Sequence, residues 1–277
     1  MIKTTVGVME GLSVVKAEAL EKSISRYFLL SMLAGIYVGL GIILIFSVGG
    51  PLHAAGAPVL KLVMGASFGV ALTLVIFAGS ELFTGNNMIM TIGSLSNKVS
   101  WGKTWAVWGV SYLGNLAGAL LLAYGMSLSG LIDQGPVQDL LLTVTAAKMS
   151  APFMQLLIRG ILCNVLVCLA VWMSAAVKNE TAKLILIFWC LFAFIGSGFE
   201  HSVANMTLLG MGVFENTSMT AIGWAGYVKN LVPVTIGNVI GGAVFVGAAY
   251  WYAAKGKEEA EGDSQDISQE RVKVLSV

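Results

Sequence analysis

Apolar residues run through this chain in long stretches parted by short polar ones. The runs over 28–48, 101–129, 152–177 and 230–254 are each long enough to cross a hydrocarbon core, which takes about 20 helical residues for about 30 Å. Two further runs are interrupted. Residues 62–80 are apolar, Glu81 follows, and apolar character resumes to 94. Residues 184–198 are apolar, Glu200 and His201 follow, and apolar character resumes over 203–213. A continuous helix would bury each glutamate without a partner. A broken helix is therefore expected at both places, with an unwound turn over 81–87 in the first. The pattern predicts an all-α integral membrane protein with six transmembrane helices, of which helices 2 and 5 are interrupted. Residues 131–147 read as a loop plus a short amphipathic stretch, and 215–228 as a loop.

Three segments follow from this pattern. Residues 1–26 form an amphipathic helix whose stripe of Val8, Met9, Leu12, Val15 and Leu20 faces either the membrane surface or the protein. Residues 27–254 form the six-helix transmembrane domain. Residues 255–277, with four basic and six acidic side chains and little apolar content, form a disordered tail.

Composition sharpens the class. Hydrophobic residues make up 57% of the 277 and charged residues 11%, against about 25% charged in soluble domains. A net charge of +1 leaves no nucleic-acid footprint. Cys163, Cys168 and Cys190 all lie in apolar runs without ligand spacing, so neither a metal nor a cofactor is expected. With six spans, 12 of the 16 Lys and Arg side chains fall on one face. The excess of positive charge on cytoplasmic loops then places both termini in the cytoplasm.

The halves repeat. Gly79-Ser80-Glu81 is followed by Asn86 at five residues, and Glu200 by Asn205 at five. Downstream, Gly114-Asn115 corresponds to Gly237-Asn238. Each half, about 27–130 and 150–254, holds three spans. An odd number makes the two repeats inverted, which puts a permeation site near the midplane where the interrupted helices meet.

Unwound backbone in lipid must have its polar groups satisfied. Glu81 and Glu200 are expected to be structural supports of the interrupted helices together with Asn86 and Asn205, each carboxylate accepting backbone or hydroxyl hydrogen bonds, the alternative being a direct proton relay. Thr84 and His201 are expected to face one another at the midplane, where an imidazole donates to an anion or exchanges a proton. Lys148 reads as the start of the fourth span on the outer side, open to two roles: a snorkelling lysine or an anion attractor. Phe68, Leu72, Leu82, Phe83, Val167 and Phe194 lie near the interruptions, as plain core or as constrictions against hydrated ions.

At Ser80-Glu81-Leu82-Phe83-Thr84-Gly85, at Cys163 to Met173, and at Ser197 to Met206 with both Gly-Asn pairs, the sequence resembles the formate/nitrite transporter family over roughly residues 7–254. The resemblance implies an aquaporin-like protomer in a homopentamer, carrying small monovalent anions or their neutral acids across the lipid bilayer between two apolar slits. It implies a cytoplasmic slit of Leu72 and Phe194, and an outer slit of Phe68, Leu82, Phe83 and Val167. It implies a central polar site of Thr84 and His201 with Asn164 holding the histidine, and Lys148 in the outer vestibule. The Asn86-Asn87 pair tilts the expected anion toward hydrosulfide, with nitrite and formate beside it. The competing classes are an aquaporin-type pore for water or glycerol, for which no Asn-Pro-Ala motif is present, and a membrane enzyme, for which a nucleophile or metal cluster is missing.

Overall fold

A computed structural model describes residues 1–216 and 219–255. Among these residues the chain is helical, without strands. Six helical stretches are long and apolar enough to cross a membrane: Ile24–Ala54, Leu60–Phe77, Trp101–Leu128, Phe153–Ala176, Glu180–Ser197 and Trp224–Lys255. In chain order they are α2 (Ile24–Ala54), α3 with α4 (Leu60–Ser67, Gly69–Phe77), α6 (Trp101–Leu128), α8 (Phe153–Ala176), α9 (Glu180–Ser197) and α11 (Trp224–Val239), the last continued by a π-helical turn Ile240–Ala248. The remaining helices are α1 (Ile2–Lys22), α5 (Phe83–Leu95), α7 (Gly135–Ser150) and α10 (Ser202–Glu215).

Two short helices sit inside the others. Phe83 to Ser94 of α5 and Ser202 to Gly212 of α10 are buried on every face. Each follows a break that begins on a glycine with positive φ. Gly79 at +76° and Gly198 at +74° adopt the left-handed conformation that glycine takes without a Cβ clash. At the second break the Gly198 N–H donates to the Ile195 carbonyl and the Phe199 N–H to the Phe194 carbonyl, both at 3.0 Å, closing the end of α9.

The first interruption is shorter than expected. The unwound residues are 78–82, and α5 is already helical from Phe83, because Asn86 and Asn87 lie within its first turns. The stretch before it is also bent at Phe68, between α3 and α4.

Small residues bring the spans together. A methyl on Gly35 would strike the Asn115 carbonyl, and one on Gly118 the Met32 carbonyl, so α2 and α6 touch backbone to backbone. Gly237 and Gly241 bring α11 against α8 in the same way, at the Leu157 and Ile161 carbonyls.

Helix α1 packs on the protein rather than standing away from it. Its buried stripe is Thr5, Val6, Met9, Ser13, Ala17 and Leu20. Val8 and Val15 of the expected stripe are 41% and 60% exposed. Smaller residues face inward because α1 lies close on α5, where Gly93 meets the Ser13 side chain. The expected tail lies outside the described residues, apart from Lys255.

Candidate functional site

The two breaks are held alike. At the first, Asn115 on α6 accepts from the Phe83 N–H through Oδ1 at 2.9 Å. Its Nδ2 donates to the Ser31 carbonyl at 2.7 Å and the Glu81 carbonyl at 2.9 Å. At the second, Asn238 on α11 accepts from the Ser202 N–H at 2.8 Å and donates to the Gly160 carbonyl at 2.8 Å and the Glu200 carbonyl at 3.0 Å. The Glu81 N–H donates to the Leu30 carbonyl and the Glu200 N–H to the Arg159 carbonyl, each at 3.2 Å. The orphaned backbone groups are thus taken up by the Gly-Asn asparagines and by neighbouring spans. The carboxylates take none of these backbone groups, since a primary amide both donates and accepts, which a carboxylate cannot; the expected hydroxyl bond is made at Glu81, from Tyr27.

The glutamates make side-chain clusters instead. Oε2 of Glu81 accepts from Lys16 Nζ at 2.6 Å, the Tyr27 hydroxyl at 2.7 Å and Asn86 Nδ2 at 3.2 Å. Oε2 of Glu200 accepts from Lys148 Nζ at 2.7 Å and Asn205 Nδ2 at 2.6 Å. Lys148 also donates to Asn205 Oδ1 at 3.1 Å. It lies in the last turn of α7, not at the start of the fourth span. The stretch expected to be part loop is helical because Pro136 opens it at the N-terminal position that proline favours. Lys148 is therefore carried inward onto Glu200, as Lys16 on α1 is carried onto Glu81. Its charge is matched by a carboxylate rather than left open to the vestibule.

Thr84, in the first turn of α5, and His201, the N-cap of α10, meet at the junction of the breaks. Thr84 Oγ1 and His201 Nε2 lie 3.0 Å apart, both buried. His201 Nδ1 accepts from the Ala204 N–H at 3.1 Å. With Nδ1 an acceptor, the neutral ring carries its hydrogen on Nε2 and donates it to Thr84. A second proton on Nδ1 would point at the Ala204 N–H and undo the cap.

Asn164 makes no hydrogen bond to the histidine. Its Nδ2 faces the Thr84 carbonyl at 3.2 Å, Asn87 Oδ1 at 3.2 Å and the Asn238 carbonyl at 2.6 Å. It steadies the threonine side of the pair because α8 packs behind α5. Asn86 and Asn87 are likewise engaged, Asn86 with Glu81 and Asn87 with Asn164.

Beside His201 lies a cavity of about 10 Å³, lined by Val38, Phe68, Ala71, Leu72, Leu82, Val167, Leu191, Phe194 and His201. That is room for about one water. Phe194 stacks on the His201 ring at 5.9 Å and receives Phe68 edge-on at 5.5 Å. On one side opens a vestibule of about 630 Å³ beneath α1, bordered by Leu72 and Leu82 and holding Lys16, Glu81 and Lys183. On the other opens one of about 180 Å³, bordered by Phe194 and holding Lys148 and Glu200.

Leu72, Leu82 and Phe194 line the central cavity together, Leu72 and Leu82 also bordering the α1-side vestibule and Phe194 the Lys148-side one, so this wall does not separate the two expected slits. Phe83 is not at the cavity: its ring packs edge-on against Tyr112 at 5.0 Å. Phe68 and Val167 line the cavity itself. Asn115, Asn238, Lys16 and Tyr27 are the site residues that reading the sequence missed. The repeated Gly-Asn pair was the available signal for the first two, whereas nothing in the spacing pointed to Lys16 or Tyr27.

Comparison with known proteins gives a consistent set of matches. The family model described as formate/nitrite transporter matches residues 7–252. The nitrite transporter NirC of Escherichia coli (strain K12) is 49% identical over 227 residues, covering 82% of this chain and 83% of its own. The formate channel FocA of the same strain is 33% identical over 244 residues, covering 82% and 85%. A solved ion channel of the FNT family superposes with a TM-score of 0.84 at 44% identity, covering 90% of this chain and 98% of its own. A pentameric formate channel with formate bound superposes at 0.73 and 30% identity, covering 84% and 98%.

Proposed function

The chain belongs to the formate/nitrite transporter family and is a multi-pass membrane protein; on that premise we propose that it is a channel for small monovalent anions, nitrite first and formate second. The order follows similarity, since the nitrite transporter is 49% identical and the formate channel 33%. Hydrosulfide, suggested by Asn86-Asn87, stays a third candidate. Neither asparagine lines the central cavity, so the pair gives hydrosulfide no contact there. The solved pentameric relative supports a homopentamer, and the two breaks held alike by Asn115 and Asn238 support aquaporin-like protomers of two inverted three-helix repeats. The distribution of Lys and Arg supports cytoplasmic termini.

The observation that carries this reading is His201, whose Nε2 lies 3.0 Å from Thr84 Oγ1, lining an otherwise apolar cavity. A bare anion there would lose its water and gain two hydrogen-bond donors at most, which does not repay dehydration. A neutral acid loses far less. In the proposed mechanism the anion reaches the junction from either vestibule, and Thr84 Oγ1 and His201 Nε2 turn their hydrogens toward it. His201 then passes its Nε2 proton to the anion while Nδ1 takes a proton from vestibule water in place of the Ala204 N–H. The anion crosses the apolar cavity as its conjugate acid and returns the proton to water beyond, and the ring regains its resting tautomer by exchange with water. Lys148, Glu200 and Asn205, like Lys16, Glu81 and Asn86, hold the interrupted helices on which the donors stand. Asn164 keeps Thr84 in place.

Flux of nitrite, formate and hydrosulfide into liposomes tests the class, with osmotic swelling in water or glycerol testing the neutral-solute alternative. Nitrite flux that rises as pH falls is expected. His201→Gln, which keeps an N–H but does not titrate, should lower that flux at least about tenfold and flatten its pH dependence. Unchanged flux and pH dependence in this variant would exclude a proton role for His201.

A further inference from the structure

The two mouths of the pore carry different charge. On the Lys148 side the charged groups lining the vestibule are Lys148 and Glu200, joined at 2.7 Å, and they cancel. On the α1 side the lining groups are Lys16, Glu81 and Lys183. Lys16 and Glu81 are joined at 2.6 Å. Lys183 stands one turn into α9, half-buried, with no carboxylate partner among the described residues. One positive charge therefore remains in a vestibule of about 630 Å³ walled by apolar side chains such as Leu72, Val75 and Ile89. Low-dielectric walls focus the field of such a charge into the opening and raise the local concentration of anions.

We propose that Lys183 is the anion-capture residue of the α1 mouth, and that it makes the two faces unequal: the α1 face half-saturates at a lower anion concentration than the Lys148 face. This rests on the channel reading above. Nothing in the opposite vestibule is equivalent, because its lysine is committed to Glu200. The lysine ammonium recognises the anion as a point charge rather than as a shape, so nitrite and formate are captured alike. Detailed balance keeps trace-level permeability equal in the two directions. The asymmetry is therefore read in half-saturation, and a site that only holds the anion before the narrow section does not speed the crossing itself.

The test is zero-trans flux of nitrite and formate in inside-out and right-side-out membrane vesicles bearing the full chain at low ionic strength. For K183Q the half-saturating concentration at the α1 face should rise about three- to tenfold, the effect of one charge at vestibule distances. The saturating rate should rise with it, since a shallower well releases the anion sooner. The Lys148 face should change less than about twofold, and K183R should restore the α1 face. At about 1 M inert salt, where the screening length is about 3 Å, wild type and K183Q should converge. Lys178→Gln, at an exposed position outside the vestibule lining, should alter neither face. An unchanged half-saturation in K183Q, or a lower rate at the same half-saturation, overturns the assignment while leaving the channel reading standing. Wild-type vesicles that pass neither anion overturn both.

Discussion

Asn115 and Asn238 each do at one residue what a membrane interior otherwise forbids. They end a helix, turn the chain through residues without regular hydrogen bonds, and start another helix, with water excluded. Each amide satisfies a backbone N–H and two carbonyls. Asn115→Leu or Asn238→Leu keeps the side-chain volume and removes those partners. At about 1–3 kcal/mol for each buried polar group left unpaired, either variant should lose about 3 kcal/mol or more. Unfolding in mixed micelles of rising SDS content would measure it. Glu81 and Glu200 stood out in the sequence because charge in an apolar run is conspicuous. The asparagines, uncharged and next to glycine, looked like ordinary helix-packing positions, although they perform the role assigned to the glutamates. Thr84 and His201 were legible as a pair because each lies just past a break, and the breaks repeat.

At the scale of elements, two kinds of glycine share one composition. Gly118 lies where α6 touches the backbone of α2, and a methyl there meets the Met32 carbonyl. Gly11 lies on the exposed side of α1 with open space around it. Gly118→Ala should force the two spans apart and destabilise by about 1–3 kcal/mol. Gly11→Ala should stabilise by about 0.5–1 kcal/mol by removing backbone freedom from the unfolded chain. Thermal denaturation of both variants in one detergent would separate the signs. Spacing in the sequence, with Gly35 and Gly39 four residues apart, suits close helix contact, and α2 does meet α6 at Gly35. It did not show α7 as a full helix, since Asp133, Asp139 and Pro136 read as loop residues until the proline is placed at a helix start. Nor did it show the bend at Phe68, although Ser67 and Gly69 flank it.

Across the whole molecule, the helices that precede the two halves act as clips. Helix α1 brings Lys16 to Glu81, and α7 brings Lys148 to Glu200. Removing one partner of a buried pair leaves an uncompensated charge, at about 3–5 kcal/mol. Lys148→Met should approach that range, because the Glu200 side chain is 3% exposed. Lys16→Met should lose less, because Glu81 is 15% exposed beside the larger vestibule and keeps Tyr27. The clips share no partner, so the double variant should equal the sum within about 0.5 kcal/mol. Denaturant titration of the two single variants and the double would check it.

The sequence by itself determined the solvent, the number of spans and the places where helices must break. These follow from local quantities: twenty apolar residues cross a bilayer wherever they occur, and a carboxylate in such a run cannot stay in a regular helix unpaired. It also determined that Thr84 and His201 stand just past those breaks. Which groups satisfy which others was decided only by the tertiary structure. Lys16 is 65 residues from Glu81, and Asn238 is 38 from Glu200. Partners that far apart are chosen by how helices pack, not by spacing along the chain. The same packing gathers Leu72, Leu82 and Phe194 around one cavity, and it leaves Lys183 as the unmatched charge at one mouth.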